Sequence, residues 1–365
     1  MYDTFFRLAL QRLDAERAHL LAKRSLRILR ATGAGRAAVR ALAGAPDACL
    51  ETRALGLVFP TPVGVAAGLD KDATFFDDLA ALGFGFIEVG TVTAVPQEGN
   101  DRPRIARFPA QRALLNKMGF PNPGAEAVAT RLAHRRGPTL IGVNVGKSRV
   151  ASIDQAGDDY RASVRLLAPV ADYLVLNVSS PNTPGLREMQ AVDRLRGLVT
   201  EVRAELAAAI SAPPLLVKID PDLDAAAISA IAALALELEL DGLVAVNTTV
   251  DRQGLNGGAP FEGGGVSGAP LRDRALSVLR LIRRTTGDRV VLISVGGIET
   301  AEDVWERILA GATLVQVYTA FVYGGPAWPK RVNHELARKV LEAGASSVQE
   351  LVGSGNGPSV VRDTG

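Results

Sequence analysis

From Pro60 onward, short apolar, β-rich runs alternate with stretches of helical periodicity, the pattern of a parallel sheet with crossover helices. The runs predict strands at 63–67, 85–89, 140–145, 173–178, 215–219, 242–246, 290–295 and 314–318. Eight such units over this length predict a closed α/β fold, a (β/α)8 TIM barrel, rather than an open doubly wound sheet. Before Pro60 the spacing is helical. Phe5, Phe6, Ala9, Leu10 and Leu13 mark a first helix; Asp14 caps a second that carries Ala18, Leu21, Ser25, Ile28 and Leu29, with Gly33 and Gly35 expected to end it. The predicted organisation is therefore an N-terminal two-helix extension (1–45), a barrel (46–344) and a Gly/Ser-rich tail (345–365) expected to be disordered.

Each predicted strand ends in polar or Gly-containing residues: Ala-Gly-Leu-Asp-Lys (67–71), Gly-Thr-Val-Thr (90–93), Asn-Val-Gly-Lys (144–147), Asn-Val-Ser-Ser-Pro-Asn-Thr-Pro-Gly (177–185), Lys-Ile-Asp (218–220), Asn-Thr-Thr (247–249), Gly-Gly-Ile (296–298) and Tyr-Thr (318–319). Barrel enzymes carry their sites at the C-terminal strand ends, so these stretches should converge on one mouth. Two long connections, 92–120 and the glycine-crowded 248–270, have the length of lids or binding loops.

Composition narrows the chemistry. The chain has 365 residues, 47% apolar, enough for a large core. Its one cysteine, Cys49, excludes an internal disulfide framework and multi-cysteine metal sites; three scattered histidines (His19, His134, His334) give no metal-binding spacing. No apolar run is long enough to span a bilayer, and charges interrupt the N-terminus too often for a secretory signal. No nucleic-acid partner is expected. Charge is uneven: residues 1–40 hold nine basic and three acidic groups, a net +6 within a chain of net +2. A basic amphipathic helix pair suits an anionic lipid surface, or it is a helical cap with solvated charges.

At the strand ends, Gly296-Gly297 and Tyr318-Thr319 follow strands seven and eight, where barrels often hold phosphate. Gly-Phe-Gly-Phe-Ile-Glu (83–88) leads into a strand instead of following one, which excludes a dinucleotide fingerprint. Lys218 ends an apolar strand, and an inward lysine there forms a Schiff base, stabilises negative charge on a cofactor or sits in a buried ion pair. Asn116, Asn177, Asn182 and Asn247 each offer a donor and an acceptor, a set suited to reading a planar imide ring.

These motifs, in this order, resemble the membrane-associated, quinone-dependent class of dihydroorotate dehydrogenases. The resemblance runs from about Phe5 to about Gly325 and rests on Ala-Ala-Gly-Leu-Asp-Lys-Asp, Glu-Val-Gly-Thr-Val-Thr, Asn-Lys-Met-Gly-Phe, Asn-Val-Gly-Lys, Asn-Val-Ser-Ser-Pro-Asn-Thr-Pro-Gly-Leu-Arg, Val-Lys-Ile, Asn-Thr-Thr and Val-Gly-Gly-Ile. It implies FMN as cofactor and oxidation of dihydroorotate to orotate, a step of UMP synthesis. Ser180 would be the base, with Thr183 and Phe120 shaping its proton relay; soluble relatives generally place cysteine at the serine position. Lys71, Asn116, Lys117, Met118, Gly119, Phe120, Asn177, Asn182, Asn247 and Thr248 match substrate positions. Ala67, Gly68, Leu69, Asp70, Lys71, Thr91, Asn144, Asn177, Lys218, Val246, Gly268, Gly297, Tyr318 and Thr319 match the FMN shell, Val246 standing where relatives often carry threonine.

His19, Arg107 and Tyr318 match a quinone path beneath the N-terminal helices. The resemblance also implies a monomer, peripheral on the cytoplasmic face of the cell membrane. The rival expectations are another FMN barrel oxidoreductase, a Lys218 aldolase and a non-enzymatic membrane adaptor.

Overall fold

The computed structural model describes residues 2, 6, 11, 13–135, 137–209 and 212–356. Eight parallel strands close into a barrel in chain order: β1 (Val63–Val65), β2 (Phe86–Val92), β3 (Leu140–Val145), β4 (Tyr173–Asn177), β5 (Leu215–Ile219), β6 (Gly242–Ala245), β7 (Val291–Val295) and β8 (Leu314–Val317). The ring is completed by β8 against β1, with Val315 opposite Val63. All eight expected strands form, within a few residues of the expected ends.

Alternation along the strands divides the core. Ile87, Val89, Ile141, Val143, Leu174, Leu176 and Val217 face the surrounding helices in one buried cluster. Phe86, Tyr173, Val175, Leu216, Val244, Ile293 and Leu314 fill the lower barrel in another. Two glycines make that filling possible: a Cβ at Gly142 would lie 2.0 Å from the Tyr173 ring, and one at Gly64 would lie 2.5 Å from the Phe86 ring. A hairpin (Thr52–Ala54 with Leu57–Phe59) closes the floor, and its Phe59 meets Phe86 edge-on at 5.2 Å.

The two long loops are not independent lids. The first supplies strands Ile105–Phe108 and Ala113–Asn116, the second Gly265–Gly268, and together they form a three-stranded antiparallel sheet over the mouth. Leu114 pairs with both Arg107 and Ser267. Loops joined by a backbone ladder hold the residues they carry in one frame.

The arm differs from expectation at one joint. Helix α1 (Ala15–Ala31) begins as predicted, with Asp14 accepting from the Arg17 N–H. Gly33 and Gly35 do not end the helical region: Thr32 breaks α1 and its hydroxyl caps a further helix, α2 (Gly33–Ala43). Glycine at 35 permits the fold-back, since a Cβ there would fall 1.8 Å from the Leu29 carbonyl oxygen. Of the expected first helix, Phe6 is helical and Leu13 lies in a bend ahead of α1, while Phe5, Ala9 and Leu10 lie outside the described residues.

Several basic residues of α1 face the barrel rather than solvent. Lys23 pairs with Asp72 (2.9 Å) and approaches Asp70, Arg30 pairs with Asp78, and Arg27 donates to the Thr74 carbonyl. Glu16 accepts from Arg104 at 2.8 Å and lies 2.9 Å from Arg102 of the first long loop. Leu21 and Ile28, the latter 70% exposed, lie on the opposite face with Arg17 and Arg24, and Leu20 is exposed at its edge. Among the described residues, no helix is long and apolar enough to cross a membrane.

The expected disordered tail begins too early. Residues 345–356 pack against the barrel through short helical turns at Val348–Leu351 and Ser354–Asn356, with Ala345 and Val348 buried. The Gln349 amide both accepts from the Arg53 N–H and donates to the Arg53 carbonyl, each at 3.0 Å, tying the tail to the floor hairpin. Gly/Ser-rich composition concealed two apolar anchors; residues 357–365 lie outside the described residues.

Candidate active site

The strand ends converge on one cavity under the lid sheet, enclosing about 1100 Å³ with its open mouth included. Its wall includes Lys71, Asn116, Asn177, Ser180, Asn182, Lys218, Asn247 and Thr248. It also takes in Ala67, Gly68, Thr91, Met118, Gly119, Phe120, Val246, Gly268, Gly297, Tyr318 and Thr319. The lid sheet supplies Ile105, Leu114, Asn116, Ser267 and Gly268, so one ladder holds residues from both long loops at the mouth.

Not every candidate lines this wall. Leu69 packs into the outer core, and Asp70 turns its oxygens to the N–H groups of Thr74 (3.0 Å) and Phe75 (2.7 Å). Burial raises the Asp70 pKa to about 6 despite those bonds. Lys117 sets its ammonium over the Phe261 ring at 4.9 Å. Thr183 is buried beyond the wall, and Asn144 stands behind it as a relay of hydrogen bonds.

That relay joins three strands. Asn144 Nδ2 donates to Glu88 Oε1 (2.8 Å), and its oxygen accepts from the Thr91 hydroxyl (2.5 Å) and from Asn177 Nδ2 (3.1 Å). Asn247 Nδ2 donates in turn to Asn177 Oδ1 (3.2 Å) and Ser179 Oγ (3.0 Å). Asn182 donates to the Asn116 carbonyl at 3.2 Å, linking the loop after β4 to the lid. Ser180 is buried, and its Oγ accepts the Asn182 N–H at 3.2 Å, a contact that favours the deprotonated oxygen.

Two lysines supply positive charge. Burial lowers the Lys71 pKa to about 8, with Glu16 opposing the shift, and its ammonium donates to the Gly68 carbonyl at 2.5 Å. Burial also lowers Lys218, and the Glu88 carboxylate opposes that shift. Glu88 and Gln316 escaped the sequence reading. Glu88 is a single charge in the apolar run Phe-Ile-Glu-Val, the same signal that singled out Lys218.

His19, on α1, and Arg107, on the lid strand that α1 packs against, lie outside the cavity wall. Burial, reinforced by Lys71 and Lys23, drives the His19 pKa down to about 4, and its ring meets Phe75 edge-on. Arg107 lies 5.9 Å from the Phe6 ring and donates to the Leu13 carbonyl. Phe6, Leu114 and Tyr323 form an apolar cluster that reaches Tyr318, which also lines the cavity.

Fold and mouth define a β/α-barrel enzyme whose working end is roofed by its own loops. The family model for dihydroorotate dehydrogenase matches residues 49–341. A dihydroorotate dehydrogenase (quinone) of Pseudarthrobacter chlorophenolicus is 52% identical over 93% of this chain and 98% of its own. One from Thermobifida fusca is 49% identical over 100% of this chain and 99% of its own. The crystal structure of the Eimeria tenella enzyme in complex with ferulenol superposes with a TM-score of 0.81 at 38% identity, covering 86% of this chain and 90% of that one. The chain belongs to the dihydroorotate dehydrogenase family, in its quinone-dependent class.

Proposed function

We propose that this enzyme oxidises dihydroorotate to orotate with FMN in the barrel mouth and passes the electrons to a membrane quinone, in de novo pyrimidine (UMP) synthesis. The carrying observation is that Lys71, Ser180 and four asparagines share one cavity with Lys218 and a glycine-built cradle. The cradle fits a phosphate. A Cβ at Gly297 would lie 2.2 Å from the Arg272 Cα, and one at Gly268 would lie 2.2 Å from the Arg112 carbonyl oxygen, so only glycine brings backbone there. The Ser267 and Thr319 hydroxyls stand 2.9 Å apart at that end. Gln316 fits a ring: its Oε1 is buried without a hydrogen-bond partner, an acceptor suited to a ring N–H donor.

When bound, FMN supplies the two-electron chemistry. The chain does the rest. The asparagines read the imide edges of the substrate, and Lys71 faces its carboxylate. Ser180 takes the C5 proton and passes it on through a relay shaped by Thr183 and Phe120. Lys218 holds a positive charge beside the ring system, and the lid sheet excludes water. Overall, dihydroorotate and quinone give orotate and quinol, with two electrons and two protons transferred.

Because Lys71 titrates near 8, it binds a carboxylate as a cation below that pH and loses the attraction above it. Orotate affinity should fall about tenfold per pH unit above pH 8. Isothermal titration from pH 6 to 10 measures it; a flat profile that Lys71→Met leaves unchanged argues against the assignment.

The quinone enters beneath the arm, past His19 and Arg107 towards Tyr318. Replacing either residue by alanine should raise the quinone KM roughly tenfold to a hundredfold, the range for a hydrogen bond to a charged or buried group, with the dihydroorotate KM unchanged. We assign membrane contact to the exposed face with Leu20, Leu21 and Ile28, flanked by Arg17 and Arg24. Arg17→Gln/Arg24→Gln should cost about 2 kcal/mol of affinity for phosphatidylserine vesicles. The protein acts as a monomer, peripheral on the cytoplasmic face.

The deciding experiment is an anaerobic titration of the purified protein with dihydroorotate, followed in the visible flavin bands. Bleaching, reversed by a soluble quinone, supports both half-reactions. A yellow protein that dihydroorotate leaves unbleached removes the substrate assignment, and no flavin even after adding FMN removes the cofactor.

A further inference from the structure

Glu88 is fully buried at the middle of β2 and is not part of the cavity wall. Its oxygens accept from two different amides, Asn144 Nδ2 at 2.8 Å and Gln316 Nε2 at 2.5 Å. A carboxylate only accepts, so both amides must turn their NH2 groups towards it. The constraint propagates. Asn144 is left with its oxygen facing Thr91 and Asn177, and Asn177 is left with its oxygen facing Asn247 and Ser179. Every amide in the line points its NH2 back along the line towards Glu88 and its carbonyl onward. On the other side, Gln316 has its NH2 occupied and its Oε1 unpartnered. Glu88 also acts through space on Lys218, the buried cation of the wall.

We propose that Glu88 is a positioning residue for the cofactor: its carboxylate sets the orientation of Asn144, Asn177, Asn247 and Gln316 and offsets the charge of Lys218, fixing how tightly FMN binds and at what potential. The proposal rests on the FMN reading above. It separates two effects, orientation and charge, that different substitutions isolate. Glu88→Gln keeps the shape but carries one NH2 where two acceptors are needed. One partner amide must then flip, meeting its next neighbour donor to donor or acceptor to acceptor. It also removes a buried negative charge from the neighbourhood of Lys218, which favours the more negatively charged reduced cofactor. Glu88→Asp keeps the charge but is one methylene too short to hold both amides.

The test uses apoprotein reconstituted with FMN, with affinity read by fluorescence quenching and potential by spectroelectrochemistry. Glu88→Gln should bind oxidised FMN at least tenfold more weakly. It should favour the reduced form about tenfold, a rise of about 30 mV for a two-electron couple. Glu88→Asp should weaken binding severalfold with the potential held at the wild-type value; it carries the test by itself if the glutamine variant does not fold, and unchanged affinity in it overturns the proposal. A purely structural Glu88 would lower the melting temperature and weaken both redox states equally, leaving the potential of Glu88→Gln unmoved, and that result also overturns the proposal. Wild-type protein that takes up no FMN overturns this and the flavin reading together. Uptake by wild type with Glu88→Gln unchanged in affinity and potential overturns this alone.

Discussion

Replacing Ser180 with alanine lowers the rate of flavin reduction by dihydroorotate about a thousandfold, roughly 4 kcal/mol of barrier, within the range found for removal of a positioned base. The loss should fall on the rate constant, because Ser180 is one group among many on the cavity wall and the asparagines and Lys71 remain to hold the ring. Stopped-flow reduction and orotate titration separate the two: an orotate Kd within about twofold of wild type is expected, since the interaction lost is one made in the transition state. Cysteine at 180 tests the role from the other side. A thiol titrates near 8.5, far below a serine hydroxyl, so Ser180→Cys should retain more activity than alanine and reach its plateau at lower pH. An alanine variant that reduces the flavin at the wild-type rate would assign the proton to another group.

Lys218→Met is the second large effect, and it acts twice. The methionine fills the space of the stem but removes the only positive charge that the strand offers the cofactor, and the rate of flavin reduction should fall about a hundredfold to a thousandfold, as when a preorganised charge is lost. It also removes the positive charge that acts on Glu88, whose carboxylate keeps its bonds from Asn144 and Gln316, so the cost in stability is smaller than for a buried charge left with no partner at all. Calorimetry should therefore show a lower melting temperature for Lys218→Met, and in Lys218→Met/Glu88→Gln a total loss of stability smaller than the sum of the two single losses. Activity should not recover in the double variant. If the two losses simply add, Glu88 and Lys218 are not coupled and the loss in Lys218→Met belongs to packing alone.

The barrel was legible because each strand is a short apolar run closed by polar chemistry, and alternation of runs with helical stretches leaves few arrangements. The lid was not. Ile105–Phe108 and Ala113–Asn116 are short and lie within a loop that reads as irregular, while Gly265–Gly268 has one β-former, Val266, between glycines. Their pairing is decided by the two loops meeting over the mouth, which no local pattern records. Candidates at strand ends fell on the cavity wall because the barrel delivers them there. Leu69 and Asp70 share a strand end with Lys71 but turn elsewhere, since neighbours along a turning chain point in different directions. Glu88 was missed although its signal matched that of Lys218: position within the strand, not at its end, hid it. At the arm, two glycines looked like a stop because a sequence shows their flexibility but not the Thr32 hydroxyl that starts the next helix.

The seam between β1 and β8 bears on how the chain is made. On one side β1 meets β2, with Val65 opposite Ile87, but on the other Val63 meets its partner only at Val315, and the Arg53 backbone waits for the Gln349 side chain, so that edge leaves the ribosome about 250 residues before the strand that covers it. At ordinary translation speeds of roughly 5–20 residues per second, that edge stays open for roughly 12–50 s. An open parallel edge is a template for pairing with other chains. The nascent protein therefore depends on something else to shield β1 until the ring can close. The arm emerges ahead of β1, and its Lys23 and Arg30 have partners in Asp72 and Asp78 just beyond that strand.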